Sequence, residues 1–506
     1  MARIVTDYLD ETVKNYPHKV AFSDENRSMT FSELKDEAYH IATEIINKKL
    51  FKQPIAVYLD KSVECIAAFE GISYSGNFYS PIDTKMPRER VIKIMQKLQP
   101  IVVITDKEHY GEVLEFSEAI ILCYEDMQNN EIDEKIVELQ KNKIIDSDVL
   151  YVLFTSGSTG TPKGAIISHR GIIDLTEWIT DTLNFSDASI MANQTPFYFS
   201  FSVYEIYQTL KNGATTYIVP QNMFKFPPKL MKYLDQKQIN TIIWVPSILT
   251  FISAMKSINR PHLTYMKNIF FGAEVMPMKH LNRWIEEYPN VRFVNLFGPT
   301  EVTDTCTYYE VNRNFADDEM LPIGSTCLNK DTFLLDDNEI VTSEEKIGEI
   351  CVRGSGIAYG YYNDPEKTAE AFVQNPNNKT YQEIIYRTGD LGKYNNYGEL
   401  VYVCRKDLQV KHKGHRIELG EIETVSSAIE GIEEACCMYD DKALRIVLFY
   451  VGNVSEVDIV SLLKNKLPEY MVPSLRIKMD IMPKNLNGKH DRVKLKEIIE
   501  NICEDK

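Results

Sequence analysis

The apolar run Val149-Leu150-Tyr151-Val152-Leu153-Phe154 leads directly into Thr155-Ser156-Gly157-Ser158-Thr159-Gly160-Thr161-Pro162-Lys163-Gly164. An unbroken apolar run of this length is the pattern of a strand buried on both faces, the kind a parallel sheet uses. The loop after it has a definite chemistry. Glycines let backbone N–H groups approach phosphate oxygens, the Ser and Thr hydroxyls add donors, and Lys163 adds a positive charge. A mere Ser/Gly linker needs neither the buried strand nor the lysine. The stretch is not a Walker A loop. Counted as Gly-x-x-x-x-Gly-Lys from Gly157, it has Pro162 where the second glycine belongs, and Gly164 where Ser or Thr should follow the lysine.

Outward from this stretch, short apolar runs at 55–59, 101–104, 217–219, 241–245 and 269–271 alternate with helical periodicity. That alternation predicts layered α/β architecture with buried, largely parallel strands. The first fifty residues read as helical: Val5, Tyr8, Leu9 and Val13 share one face. Thr30-Phe31-Ser32-Glu33 has the form of a capping box and opens a helix through Leu34, Ile41 and Ile45. From Gly348 onward the strands shorten and crowd, with a turn at Asn395-Asn396-Tyr397-Gly398, which predicts a small barrel-like β subdomain. After Arg405 a basic stretch at 411–416 precedes a helical segment at 418–429 and a strand-like run at 444–451. A further helix, capped near Ser455, would turn Ile459, Leu462 and Leu463 inward. The expected division is a large N-terminal domain of α/β layers, 1–404, and a smaller α+β C-terminal domain, 405–506, of ordinary domain size.

The chain has 506 residues, of which 44% are hydrophobic and 25% charged, a globular composition that excludes disorder as the main state. Lys and Arg total 56 against 73 Asp and Glu, a formal charge of −17. So acidic a surface repels phosphate backbones and anionic lipid, which argues against nucleic acid and membranes as partners. The start of the chain has no signal-peptide pattern, and no charge-free apolar run is long enough to span a bilayer. The nine cysteines are scattered without Cys-x-x-Cys spacing, and adjacent Cys436 and Cys437 read as core residues. That usage fits reduced thiols and a cytoplasmic location.

Further stretches fall into a recognisable order. They are 29–34, 76–83, Phe297-Gly298-Pro299-Thr300-Glu301, 348–354, 386–390, 405–409, 414–423, 467–473 and Asn487-Gly488-Lys489. With the 155–164 loop they resemble the adenylate-forming superfamily, which includes acyl-CoA synthetases, luciferases and the adenylation domains of nonribosomal peptide synthetases. The resemblance covers nearly the whole chain. In layout it is similar to stand-alone amino-acid adenylating enzymes, notably D-alanine–carrier protein ligases.

The resemblance implies an ATP-dependent, two-step reaction. A carboxylate attacks the α-phosphate of Mg²⁺-ATP to give acyl-adenylate and pyrophosphate, and a thiol then displaces AMP as a thioester. Negative charge gathers on small oxygens in both steps, so fixed cations and donors matter most. The implied catalytic residues are Lys489, Glu301, Thr155 and Lys163. Glu301 matches the magnesium-associated glutamate, and Lys489 would bridge the attacking carboxylate and the α-phosphate. ATP contacts are implied from Thr155, Ser156, Gly157, Ser158, Thr159 and Gly160. They are also implied from Asn295, Leu296, Phe297, Gly298, Pro299 and Thr300, and from Asp390, Tyr402, Arg405 and Lys489. Phe297 stands where the family usually has Tyr against adenine; Asp390 would accept from the ribose hydroxyls. Asp407 matches the hinge about which a mobile C-terminal lid carrying Lys489 rotates.

Enzymes of the family that take α-amino acids usually hold the substrate ammonium with an aspartate in Phe-Asp-x-Ser. Here the matching stretch is Phe199-Ser200-Phe201-Ser202, and Ser200 supplies no countercharge. Burying an unpaired ammonium costs several kcal/mol, so the resemblance implies an acid other than an ordinary α-amino acid. The other pocket positions are Phe201, Tyr204, Trp244, Phe270, Gly272, Leu296, Asp304 and Thr305. Two readings stand: Asp304, toward the pocket floor, pairs with the displaced amine of a β-amino acid, or accepts from the hydroxyl or amine of a substituted benzoate.

The chain ends soon after Lys489 and contains no Gly-Gly-x-Ser attachment motif. The expected acceptor is therefore the phosphopantetheine thiol of a separate carrier protein, with coenzyme A as the alternative. A D-alanine-like carrier ligase is a second enzymatic reading. A nucleotide-binding regulatory protein is the non-enzymatic one, against which Lys163, Glu301, Asp390, Arg405 and Lys489 together argue.

Overall fold

The run at 149–154 is the strand Val149–Thr155, paired in parallel with Phe78–Ile82 through Tyr151 and Tyr79 in this computed structural model. The structure describes residues 2–156, 161–344, 346–406, 409–484 and 490–504. By contacts the chain divides into two compact units, one of 1–84, 97–154 and 164–406, the other of 85–96, 155–163 and 407–506.

The first unit is built on three sheets. One has six strands in the order Ile120–Cys123, Val102–Thr105, Pro54–Tyr58, Phe78–Ile82, Val149–Thr155, Lys163–Ser168. The second has nine, with six parallel strands in its middle: Arg292–Phe297, Asn268–Gly272, Thr241–Trp244, Ile190–Asn193, Thr215–Ile218 and Val20–Ser23. Antiparallel strands close both of its edges. The third sheet is antiparallel and has six strands, including Gly348–Gly354, Ile384–Tyr394 and Leu400–Arg405. The Asn395 side chain makes the turn between the last two, accepting from the N–H groups of Tyr397 and Glu399.

Strand alternation divides the core. Ile243, Phe270, Val294 and Leu296 face one side of the nine-stranded sheet and pack with Ile55 and Val57 of the six-stranded one. Ile242, Trp244, Ile269, Phe271 and Phe293 face the other side and pack on Leu281 and Trp284 of the helix Met278–Glu287. Each fully buried Ile or Phe on either face contributes about 1.5–3 kcal/mol.

The capping box forms as read. Thr30 Oγ1 accepts from Glu33 N–H at 3.3 Å, and Glu33 Oε2 accepts from Thr30 N–H at 2.7 Å, starting the helix Phe31–Asn47. The first fifty residues are not helical throughout, however. The short strands Val20–Ser23 and Ser28–Thr30 separate two helices and pair across a tight reversal.

In the second unit, Ile432–Asp440 and Arg445–Gly452 pair antiparallel, and Leu475–Lys478 joins in parallel. Helices Leu419–Ser427 and Glu456–Lys464 bring Ile422, Ile459 and Leu463 into its core. Ser455 caps the second of these by accepting from Asp458 N–H. Leu462, expected inward, is 40% exposed, because its neighbour Leu463 takes the core-facing position and the helix turns 100° per residue. Cys436 and Cys437 lie on opposite faces of one strand, each fully buried. Among the described residues, no helix is long and apolar enough to cross a membrane.

Candidate functional site

The strand Arg292–Phe297 ends in Gly298 and Pro299, and a short 3-10 helix, Thr300–Val302, follows. Gly298 is obligatory at this point: a Cβ there would lie 1.9 Å from the Asp304 carbonyl oxygen. The close approach lets Cys306 N–H donate to the Phe297 carbonyl at 2.8 Å and folds the chain back on itself. Thr303 and Asp304 both adopt left-handed backbone, φ 53° and 66°, uncommon for residues with a side chain and costing on the order of 1–3 kcal/mol each.

The reversal buries Glu301 completely. Its Oε1 accepts from the Tyr361 hydroxyl at 2.6 Å, and the Tyr361 and Tyr386 hydroxyls lie 3.5 Å apart. Tyr386 belongs to the strand Ile384–Tyr394, which also carries Asp390. Arg405, on the neighbouring strand, donates from Nη1 to Asp390 Oδ1 at 3.0 Å and to the Thr388 carbonyl at 2.6 Å. Both side chains of this ion pair are buried. Gly389, at φ 73°, makes room for the guanidinium; a Cβ would stand 2.7 Å from Arg405 Nη2. The rings of Phe297 and Tyr402 face one another at 6.2 Å, tilted by 44°. Asn295, buried two residues earlier on the same strand, donates to the Pro322 carbonyl at 2.9 Å.

The acid-pocket positions gather on the sheet face that carries Phe270, Gly272 and Leu296, where Gly272 pairs with Leu296 across adjacent strands. Phe201 and Tyr204 meet edge to face at 5.0 Å. Ser200 Oγ donates to Asp304 Oδ1 at 2.6 Å and lies 3.0 Å from Thr300 Oγ1. Since the one Ser200 hydrogen goes to the carboxylate, Thr300 is the donor in the second contact. Tyr204 hydrogen-bonds both Thr305 and Asp304. Burial pushes the Asp304 carboxyl above its ordinary pKa, and the bonds from Ser200 and Tyr204 oppose that shift.

One pocket assignment is corrected. Trp244 does not face this group. It lies on the opposite side of the sheet, where its indole Nε1 donates to the Ala192 carbonyl at 2.7 Å. Its neighbour Ile243 pairs in register with Phe270 and shares that face. Because successive strand residues point to opposite faces, an assignment shifted by one position exchanges the two.

Thr155, Ser156 and Lys163 belong to the second unit. There Ser156 donates to the Arg416 carbonyl, Thr155 Oγ1 approaches the Lys163 carbonyl at 3.5 Å, and Lys163 Nζ stands 3.6 Å from Glu418 Oε1. Gly157, Ser158, Thr159, Gly160, Asp407 and Lys489 lie outside the described residues.

A model of the AMP-binding enzyme family matches residues 9–362. The chain belongs to the AMP-binding enzyme family. Tyrocidine synthase 1 of Brevibacillus parabrevis is 31% identical to this AMP-binding enzyme over 497 residues, covering 96% of the chain. The chain spans 44% of the length of that relative. Among solved structures, the holo form of PA1221, an NRPS protein containing adenylation and PCP domains, superposes with a TM-score of 0.83 at 22% identity. That match covers 97% of this chain and 84% of PA1221. The o-succinylbenzoate CoA synthetase MenE of Bacillus subtilis superposes at 0.82 with 18% identity, covering 97% of this chain and 98% of MenE. At these identities the two structures establish the shared fold.

Proposed function

We propose that this chain activates a carboxylic acid with ATP, releasing pyrophosphate, and passes the acyl group to a phosphopantetheine thiol. The observation that carries the reading is the linkage of two buried carboxylates: Glu301, through Tyr361 and Tyr386, to the strand that holds Asp390 against Arg405. Structural ion pairs seldom need a second buried acid and a facing pair of aromatic rings beside them. A nucleotide does: Phe297 and Tyr402 offer faces to a base, Asp390 an acceptor to ribose hydroxyls, and Arg405 a positive charge.

The donor set fits magnesium. Glu301 presents a hard carboxylate, and among the described residues no group of three or more His, Cys, Asp or Glu side chains could hold a metal ion alone. Mg²⁺ commonly takes one or two carboxylates and completes its shell with substrate phosphates and water. Held by Glu301, it would supply charge neutralisation at the phosphate oxygens. Lys163 and Thr155 are assigned to the phosphates, and Lys489 to the meeting of carboxylate and α-phosphate. Residues 405–506 are read as a lid domain turning about Asp407.

The acid is one whose polar group meets Asp304 among aromatic walls, a β-amino acid or a hydroxy- or aminobenzoate. A carrier protein is the favoured acceptor, in keeping with the resemblance to amino-acid adenylating enzymes, and coenzyme A ends in the same thiol arm. ATP–pyrophosphate exchange over β-amino acids, benzoates, short fatty acids and both alanine enantiomers tests the activation. Transfer of radiolabelled acid to a holo-carrier protein or to coenzyme A tests the acceptor. Acid-dependent exchange supports the reading, and its absence with every acid overturns it.

A further inference from the structure

The turn that buries Glu301 is held from a second sheet. Lys330 opens the strand Lys330–Asp336 of the antiparallel sheet and pairs there with Gly354. Its ammonium donates to the Val302 carbonyl at 2.9 Å and to the Thr305 carbonyl at 2.5 Å. Those carbonyls flank Thr303 and Asp304, the two residues in left-handed backbone, and Val302 and Thr305 are both buried. The left-handed pair thus turns two carbonyl oxygens toward one nitrogen. Left without a donor, each buried oxygen would bear the full cost of its lost hydration, and their negative ends would oppose each other. An ammonium has donors for both and a charge that suits both.

The surrounding chain leaves room for this side chain. A Cβ on Gly356 would lie 2.4 Å from Lys330 Cε and 3.1 Å from the Val302 carbonyl oxygen. Thr303 Oγ1 donates to the Gly356 carbonyl at 2.6 Å, and Ala358 N–H donates to the Glu301 carbonyl at 2.8 Å. Each of these bonds fixes one point of the turn, whereas Lys330 spans both ends of its left-handed pair. Glu301 directly precedes Val302, so a shift of the Val302 peptide moves the Glu301 carboxylate away from Tyr361.

We propose that Lys330 is a positioning residue, whose ammonium holds the 302–305 turn and through it sets Glu301 for the magnesium of MgATP. This rests on the acid-activation reading above and adds to it a residue that acts through the backbone.

The test compares wild type with Lys330→Met, which keeps the stem and loses the donors, and with Lys330→Arg and Lys330→Ala. Each protein is titrated calorimetrically with ATP, in Mg²⁺ and in EDTA, and assayed for ATP–pyrophosphate exchange across magnesium concentrations. Lys330→Met is expected to bind ATP about 10-fold more weakly than wild type in Mg²⁺, and within about 2-fold of wild type in EDTA. Its half-maximal exchange should need about 10-fold more magnesium. Lys330→Arg should recover most of the loss, since it keeps the charge and the donors. Ethylammonium should restore part of it to Lys330→Ala by standing in for the missing amine. Equal weakening in Mg²⁺ and in EDTA would mean general damage to the fold and would overturn the assignment. Wild-type magnesium dependence in Lys330→Met would overturn it as well. Should Lys330→Met not fold, absence of rescue by both arginine and ethylammonium would do the same. Failure of wild type to exchange with every acid would overturn acid activation, and the calorimetric arms would still decide the role of Lys330.

Discussion

Tyr361 donates its phenolic hydrogen to Glu301 Oε1 across 2.6 Å, and both residues are buried. The bond gives one oxygen of this fully buried carboxylate a fixed donor and so sets the orientation of the group. Tyr361→Phe is therefore expected to reduce ATP–pyrophosphate exchange about 10-fold and to raise the magnesium concentration needed for half-maximal rate. Glu301→Gln should reduce exchange about 100-fold or more at every magnesium concentration. Magnesium titrations of exchange rate for the three proteins check this; an unchanged titration in Tyr361→Phe would detach Glu301 from the ion.

Ile243 and Trp244 make opposite predictions. Ile243→Ala, on the Phe270 face, is expected to enlarge the acid site and shift kcat/KM toward a bulkier acid by about 10-fold. Trp244→Phe, on the far face, should leave the acid preference in place and lower stability by about 1–3 kcal/mol through loss of the indole bond to Ala192 and of packing. Acid-panel kinetics and denaturant melts on both variants decide it. A changed preference in Trp244→Phe alone would reverse the assignment.

Lys489→Ala is expected to abolish adenylation while sparing thioester formation from preformed acyl-adenylate. The lysine is assigned to the approach of two anions, a feature of the first half-reaction only. Exchange near the wild-type rate in the variant would remove Lys489 from that role.

His169 gives a prediction about pH. It is buried, its Nδ1 accepts from Val5 N–H at 3.3 Å, and burial holds its pKa down to about 4. An unfolded histidine takes up its proton near pH 6.5, so the folded state binds fewer protons between those values. Stability contributed by the neutral ring is complete above about pH 6.5 and falls as pH drops toward 4, by about 3 kcal/mol in all. Urea melts from pH 7.5 to 4 should show a shallower decline in His169→Gln than in wild type. Parallel declines would mean that other groups govern acid unfolding.

Much of the fold was legible because its signals are local. The parallel strands are short apolar runs, and the Thr30–Glu33 cap is a four-residue pattern. Strands Val20–Ser23 and Ser28–Thr30 escaped notice because they are short, and the second is exposed or half-buried at both ends. Trp244 was misassigned by one residue, an error that strand alternation turns into the wrong face of a sheet. The Ser200–Asp304 contact joins residues 104 positions apart, and no periodicity encodes such a pairing. The contact also depends on the left-handed backbone at Asp304 and on the reversal that Gly298 permits, and both exist only in the folded chain.

The products of ATP turnover test the central claim most directly. With an accepted acid, Mg²⁺ and hydroxylamine as trap, the account predicts AMP and pyrophosphate in equal amounts, matched by acyl hydroxamate. ADP and orthophosphate as the products, or AMP formed without any dependence on the acid, would contradict it.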